Sequence, residues 1–236
     1  MSRLSGRIAL IPGASRGIGA AVAKRFAAEG AHVILTARTV GGLEETDDAI
    51  RTATGQNATL VPLDLRKFDQ IDQLGQAVYD RFQRLDILVG NAGVLEALGP
   101  VAQYDPKHWQ RIFDVNVTAN HRLIRSFDRL LRASDAGRAI FVTSGAAAAP
   151  YPYWGPYAAS KAALDMLVRT YALEIARSPL RVNLVDPGVV ATRLRSQGFP
   201  GEDQAKLTQP DAVTDAFVEL ADPACTRHGE VIQAQG

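Results

Sequence analysis

Short apolar runs recur along the chain, with longer amphipathic stretches between them. The runs are RIALIP at 7–12, HVILTA at 32–37, ATLVPL at 58–63, LDILVG at 85–90, RAIFVT at 138–143, RVNLVD at 181–186 and EVIQA at 230–234. They are rich in Val, Ile and Leu and mostly continuous rather than alternating, which predicts strands buried on both faces, as in a parallel sheet. The intervening stretches predict helices at 17–29, 41–53, 68–83, 106–131, 157–177 and 211–221. Gly30 stands where a C′ glycine would close the first of them. Strand and helix in regular succession predict an α/β fold, a Rossmann-type doubly wound parallel sheet of about seven strands. One stretch breaks the rhythm: RLRSQGFPGEDQAKLTQP at 193–210 has the Gly, Pro and charge of a mobile loop. A loop of that length inside a compact domain is expected to act as a substrate lid.

Composition narrows the function classes. A chain of 236 residues with 47% apolar and 22% charged residues suits one α/β domain covering 1–236. With 26 basic against 25 acidic residues there is no overall field to draw in nucleic acid or an anionic membrane. No stretch approaches the roughly 20 apolar residues of a membrane span. The opening MSRLSGRIALIPGAS lacks the core and cleavage site of a signal peptide, so a cytoplasmic location is the default expectation. Cys225 is the only cysteine, and His32, His108, His121 and His228 lie far apart, so neither a disulfide nor a metal site is expected.

Directly after the first apolar run comes PGASRGIGAAVAKRFAAEG. Gly13, Gly17 and Gly19 there fall between a strand and an alanine-rich helix, with Ser15, Arg16 and Ile18 among them. Glycines let the backbone approach a pyrophosphate, and the following helix N-terminus supplies unpaired N–H groups. An NAD-preferring site places an acid about 20 residues further on, to hold the ribose 2′-hydroxyl. Here that place reads Ala37-Arg38. A guanidinium pairs well with a 2′-phosphate, each charge-assisted contact being worth roughly 1.5 to 3 kcal/mol, so NADP(H) is expected over the alternative, NAD(H). The plain reading of Arg16 and Arg38 is a pair of solvated surface cations.

A second constellation lies downstream. Tyr157 and Lys161 stand four apart in YAASK and share one face of a helix. Hydride transfer to a carbonyl leaves an alkoxide that needs a nearby proton donor. A tyrosine near pKa 10 is poorly matched to neutral pH. An ammonium about 4 Å from the phenol oxygen would stabilise the phenolate by roughly 4 kcal/mol at an effective dielectric near 20, enough by itself to bring the phenol near pKa 7; desolvation opposes this shift and a positive oxidised nicotinamide would reinforce it. Ser144 ends the fifth run 13 residues before Tyr157, and Asn116 lies 28 residues before Ser144. Taken singly, these are a strand-end hydroxyl and a helix-interior amide.

Together, the G-x-x-x-G-x-G turn and the Asn116, Ser144, Tyr157 and Lys161 spacing resemble the short-chain dehydrogenase/reductase family, whose cofactor turn reads TGxxxGIG. The resemblance implies a catalytic tetrad: Tyr157 transfers the proton, Lys161 also holds the nicotinamide ribose, Ser144 donates to the carbonyl oxygen, and Asn116 orders a water. It implies that Asp64 and Leu65 contact the adenine ring, and that Asn91, Ala92 and Gly93 pack beside the cofactor. Pro187, Gly188, Val190 and Thr192 resemble the segment that meets the nicotinamide carboxamide. It also implies a homo-oligomer, tetramer or dimer, built through 106–131, 157–177 and the last strand, although Leu164, Leu167 and Val168 could equally be core residues of one subunit. Two positions depart from the pattern. Pro12 replaces the threonine before the first glycine, and Gly90 replaces the first asparagine of NNAG, two positions that support each other in the family.

The expected substrate is a small carbonyl or alcohol compound. Tyr151, Tyr153 and Trp154, with Leu95, Leu98 and Phe199, suggest an apolar or aromatic ketone, aldehyde or acyl chain, or else they pack on the loop or a neighbouring subunit. Arg193 and Arg195 suggest instead an acidic tail, as in carrier-linked 3-oxoacyl substrates. Rival readings are a dinucleotide sensor or scaffold without turnover, and a sugar-nucleotide epimerase or dehydratase. The first usually lacks Tyr or Lys, and the second needs a larger C-terminal substrate domain.

Overall fold

In the computed structural model, which describes residues 2–235, each of the seven apolar runs forms a strand. These are β1 (Ile8–Pro12), β2 (His32–Ala37), β3 (Thr59–Pro62), β4 (Ile87–Gly90), β5 (Arg138–Val142), β6 (Arg181–Asp186) and β7 (Val231–Gln233). They make one parallel sheet in the order β3-β2-β1-β4-β5-β6-β7. The strand order reverses between β1 and β4, which opens a crevice at the carboxyl ends of the strands.

Alternation along the strands feeds two cores. Ile8, Leu10, Leu88 and Phe141 point into one, covered by α3 (Phe68–Phe82), α5 (Ala119–Arg132) and α6 (Gly155–Glu174). Ala9, Ile11, Val89 and Ile140 point into the other, covered by α1 (Gly17–Ala28), α2 (Val40–Thr54) and α8 (Thr214–Ala221). Both faces being buried is why the strands read as continuous apolar runs rather than as an alternating pattern. Leu164 and Val168 are fully buried in the first core, so they are packing residues of the single subunit.

Three expectations need correction. The helix expected over 106–131 is α4 (Pro106–Phe113) joined to α5 by a wide π turn, Asp114–Thr118, with Asn116 in its middle. The backbone widens there because the Asn116 side chain is tied to the loop after β4 rather than left on the helix surface. The helix expected at 211–221 begins at Thr214, after a short 3₁₀ turn at Pro210–Val213. The stretch at 193–210 is not irregular throughout: it carries α7 (Arg193–Gly198) and a 3₁₀ turn at Gln204–Lys206. Thr192 caps α7 by accepting from the Arg195 N–H at 3.2 Å. The charges that made the stretch look like loop are spent internally, since Arg195 forks onto Glu202 at 2.7 and 2.5 Å.

Candidate active site

The glycine turn is held tightly to the sheet. Gly13 and Gly17 have φ of 74° and 56°, in the left-handed region that a side chain would strain. Gly19 has no room for a side chain at all, because a Cβ there would lie 2.4 Å from the Gly13 carbonyl oxygen and 2.5 Å from Asn91 Nδ2. Asn91 Nδ2 donates to the carbonyls of Pro12 at 3.1 Å and Gly13 at 3.3 Å, pinning the turn to the end of β4. This amide supports the turn although Pro12 lacks the hydroxyl of the usual threonine. At Gly90 the vacated volume is filled from elsewhere: a Cβ would lie 2.3 Å from the Phe141 ring and 2.6 Å from Asn120 Oδ1. Neither Phe141 nor Asn120 stood out in the sequence, where nothing linked them to position 90.

A groove of about 750 Å³ runs along the carboxyl edge of the sheet, and every residue singled out for cofactor contact lines it. The groove fits a dinucleotide on its own chemistry. Arg16 and Arg38 face it with no carboxylate within ion-pair distance among the described residues, and the buried Thr36 hydroxyl has no partner. Gly93 lines it between the tetrad side chains: a Cβ there would lie in ordinary contact with Asn116 Oδ1 at 3.5 Å and Lys161 Nζ at 3.7 Å. Asp64, by contrast, is already bound by Arg66 at 2.7 Å, and this pairing holds its carboxyl below the usual carboxylate range.

Ser144, Tyr157 and Lys161 line the same groove; Asn116 does not. Asn116 is fully buried behind it, accepting from Val94 N at 2.9 Å and donating to Val94 O at 3.0 Å and Ser160 Oγ at 2.9 Å. Its side chain fixes the loop that carries Gly93. Lys161 Nζ donates to the Val142 carbonyl at 2.8 Å and lies 5.8 Å from the centre of the Tyr157 ring. The expected lowering of the phenol toward neutrality is absent. Burial pushes Tyr157 up to about 12, with contact from the Ser144 hydroxyl opposing the rise and the Asp186 carboxylate adding to it. Burial likewise brings Lys161 down to about 8, against the pull of Asp165 and Asp186. Of the two opposing effects expected from the sequence, desolvation outweighs the nearby ammonium, because both side chains are nearly dry.

Asp186 was not a candidate in the sequence. It ends β6 almost fully buried, and its carboxylate accepts from Gly188 N at 3.0 Å. Gln235 was missed too. Its amide donates to Pro187 O at 2.7 Å and Val189 O at 3.0 Å, latching the Pro187-Gly188 turn from the far end of the chain.

Beyond Tyr157 the groove is apolar. Leu95, Ala146 and Tyr157 cluster with Leu98, Trp154 and Leu194. Trp154 stacks edge-on to Tyr157 at 5.7 Å and meets Phe199 of the 193–210 segment at 5.6 Å. Tyr151 and Tyr153 stay outside, 53% and 60% exposed.

A one-domain doubly wound sheet with this turn and this Ser, Tyr and Lys grouping defines a nucleotide-dependent oxidoreductase. The short chain dehydrogenase family model matches residues 7–203, and the chain belongs to that family. The oxidoreductase YciK of Escherichia coli K12 is 35% identical over 235 residues, covering 98% of this chain and 93% of YciK. The 3beta-hydroxysteroid dehydrogenase 1 of Eggerthella lenta is 37% identical over 210 residues, 87% of this chain and 79% of that protein. The crystal structure of a short chain dehydrogenase from Escherichia coli CFT073 complexed with NADPH superposes with a TM-score of 0.95 at 35% identity, covering 100% of this chain and 99% of that one. No helix among the described residues is long and apolar enough to cross a membrane.

Proposed function

We propose that this protein is an NADP(H)-dependent carbonyl reductase, or the corresponding alcohol dehydrogenase, with Tyr157 as general acid and base. The observation that carries the reading is the convergence of the glycine turn, Arg38, Ser144, Tyr157 and Lys161 on one groove. When bound, a nicotinamide dinucleotide supplies or accepts the hydride. The chain's own residues do the rest. The Ser144 hydroxyl orients the substrate oxygen, and the Tyr157 phenol gives it a proton in reduction or takes one in oxidation. A phenol held high by burial is fully protonated at neutral pH, which suits the reductive direction. Lys161, fixed on Val142, keeps a cation beside the phenol and Gly93, and Asn116 holds the Gly93 loop.

Arg38 after β2 and Arg16 in the glycine turn, both lining the groove, support NADP(H), as does the NADPH-bound relative. The apolar cluster around Trp154 supports an apolar or aromatic carbonyl compound. Trp109, Met166 and Leu173, exposed on α4 and α6, support a homo-oligomer through those helices, which size-exclusion chromatography with light scattering tests. For the activity itself, A340 is followed with NADPH against ketones, 1,2-diketones, aldehydes and 3-oxoacyl thioesters. Turnover that Tyr157→Phe abolishes is expected. Tight dinucleotide binding with no turnover across the panel would return the reading to a sensor.

A further inference from the structure

Six arginines line the groove, and they divide cleanly. Arg66 is paired with Asp64 at 2.7 Å, Arg111 with Glu96 at 3.0 Å, and Arg195 with Glu202 at 2.5 Å. Arg195 is further committed, its guanidinium lying 3.7 Å over the Phe199 ring. Arg16, Arg38 and Arg193 have no carboxylate within 4.0 Å among the described residues. Pairing neutralises the first three toward an incoming anion, because an added phosphate would have to compete with a carboxylate already in place.

The three free cations line one groove. Arg16 lies in the glycine turn, whose following helix N-terminus offers N–H groups to a diphosphate, and Arg38 directly follows β2, where a 2′-phosphate would stand. Arg193 is far away in sequence, yet Thr192 before it packs on the same turn, with its Cγ2 3.4 Å from where a Gly17 Cβ would stand. Arg193 is exposed to the groove, so holding an anion there costs little desolvation. We propose that Arg193 grips the diphosphate of the bound dinucleotide from the 193–210 side, rather than anchoring an acidic substrate tail. The substrate end then keeps only neutralised arginines and an apolar wall, and takes an uncharged carbonyl compound.

This rests on the dinucleotide reading of the groove, and its test separates the two. The protein is titrated by fluorescence with NADPH and NADH, and with 2′-AMP, which carries only the 2′-phosphate. Arg193→Ala should weaken NADPH and NADH by the same factor, about 10-fold or more, with a shallower salt dependence and unchanged 2′-AMP affinity. Arg193→Lys should restore part of the loss. Arg38→Ala should weaken NADPH and 2′-AMP while sparing NADH. Dinucleotide affinities within twofold of wild type in Arg193→Ala would overturn the proposal. So would a loss confined to KM for the carboxylate-bearing member of a matched pair of aryl ketones. Failure of the wild type to bind any dinucleotide is a different outcome, which removes the groove reading itself and the proposal with it.

Discussion

Replacing Gly19 with alanine tests whether the turn's shape, rather than its flexibility, is what the glycine provides. The new Cβ would lie 2.4 Å from the Gly13 carbonyl oxygen and 2.5 Å from Asn91 Nδ2. Both neighbours must retreat by most of an ångström, and overpacking of that kind costs about 1 to 3 kcal/mol. Moving Asn91 also strains its bonds to Pro12 and Gly13, worth about 1 kcal/mol each. The sum is about 2 to 4 kcal/mol, which for a chain of this size lowers Tm by roughly 5 to 15 °C. Dinucleotide affinity should fall at least 10-fold as the turn is pushed out of shape. Gly41→Ala is the control: a Cβ there meets nothing within 4 Å, and α2 should gain a few tenths of a kcal/mol from its better propensity. The assay is scanning calorimetry with and without NADPH, joined to fluorescence titration. A Gly19→Ala variant that melts within 1 °C of wild type and binds NADPH equally would refute the reasoning.

Lys161→Met should abolish turnover yet leave the ligand-free protein at least as stable at pH 7. The fall of Lys161 from 10.5 to about 8 represents about 3 kcal/mol of folding cost when the ammonium is charged, offset in part by the bond to Val142. That cost is present below pH 8 and disappears as pH rises from 8 toward 10.5, so melts across this window should show wild type gaining on the variant; a constant difference would count against it. Asp186→Asn removes a carboxylate that raises both Tyr157 and Lys161, so the kcat/KM profile for alcohol oxidation should shift to lower pH, and an unmoved profile would clear Asp186 of that role. Asp86→Ala, at the opposite edge of the sheet, strips a fully buried carboxylate of its bonds to Ile8 N at 2.8 Å and Ser134 Oγ at 2.6 Å and leaves Arg7 short of charge. It should cost about 3 to 5 kcal/mol by urea unfolding while leaving kcat near wild type at low temperature.

The sequence alone determined the layers, because burial on both faces of every strand writes itself as continuous Val, Ile and Leu. It also determined the groove's contents, since glycines at a strand-to-helix turn and a Tyr-Lys pair on one helix face are local patterns with local geometry. What the tertiary structure decided was everything that depends on groups distant in sequence meeting. The π turn at 114–118 follows from Asn116 reaching Val94, and the filling of the Gly90 gap follows from Phe141 and Asn120. Arg195 looked available until Glu202 was seen to take it, while Arg193, two residues earlier, was left free. The depth of burial around Tyr157 decided the contest between the nearby ammonium and desolvation in favour of a raised pKa, and no spacing along a chain records how dry a side chain will be. Strand patterns reflect what each residue does with its neighbours in sequence; charge balance and desolvation are sums over the whole fold, so only the folded structure could fix them.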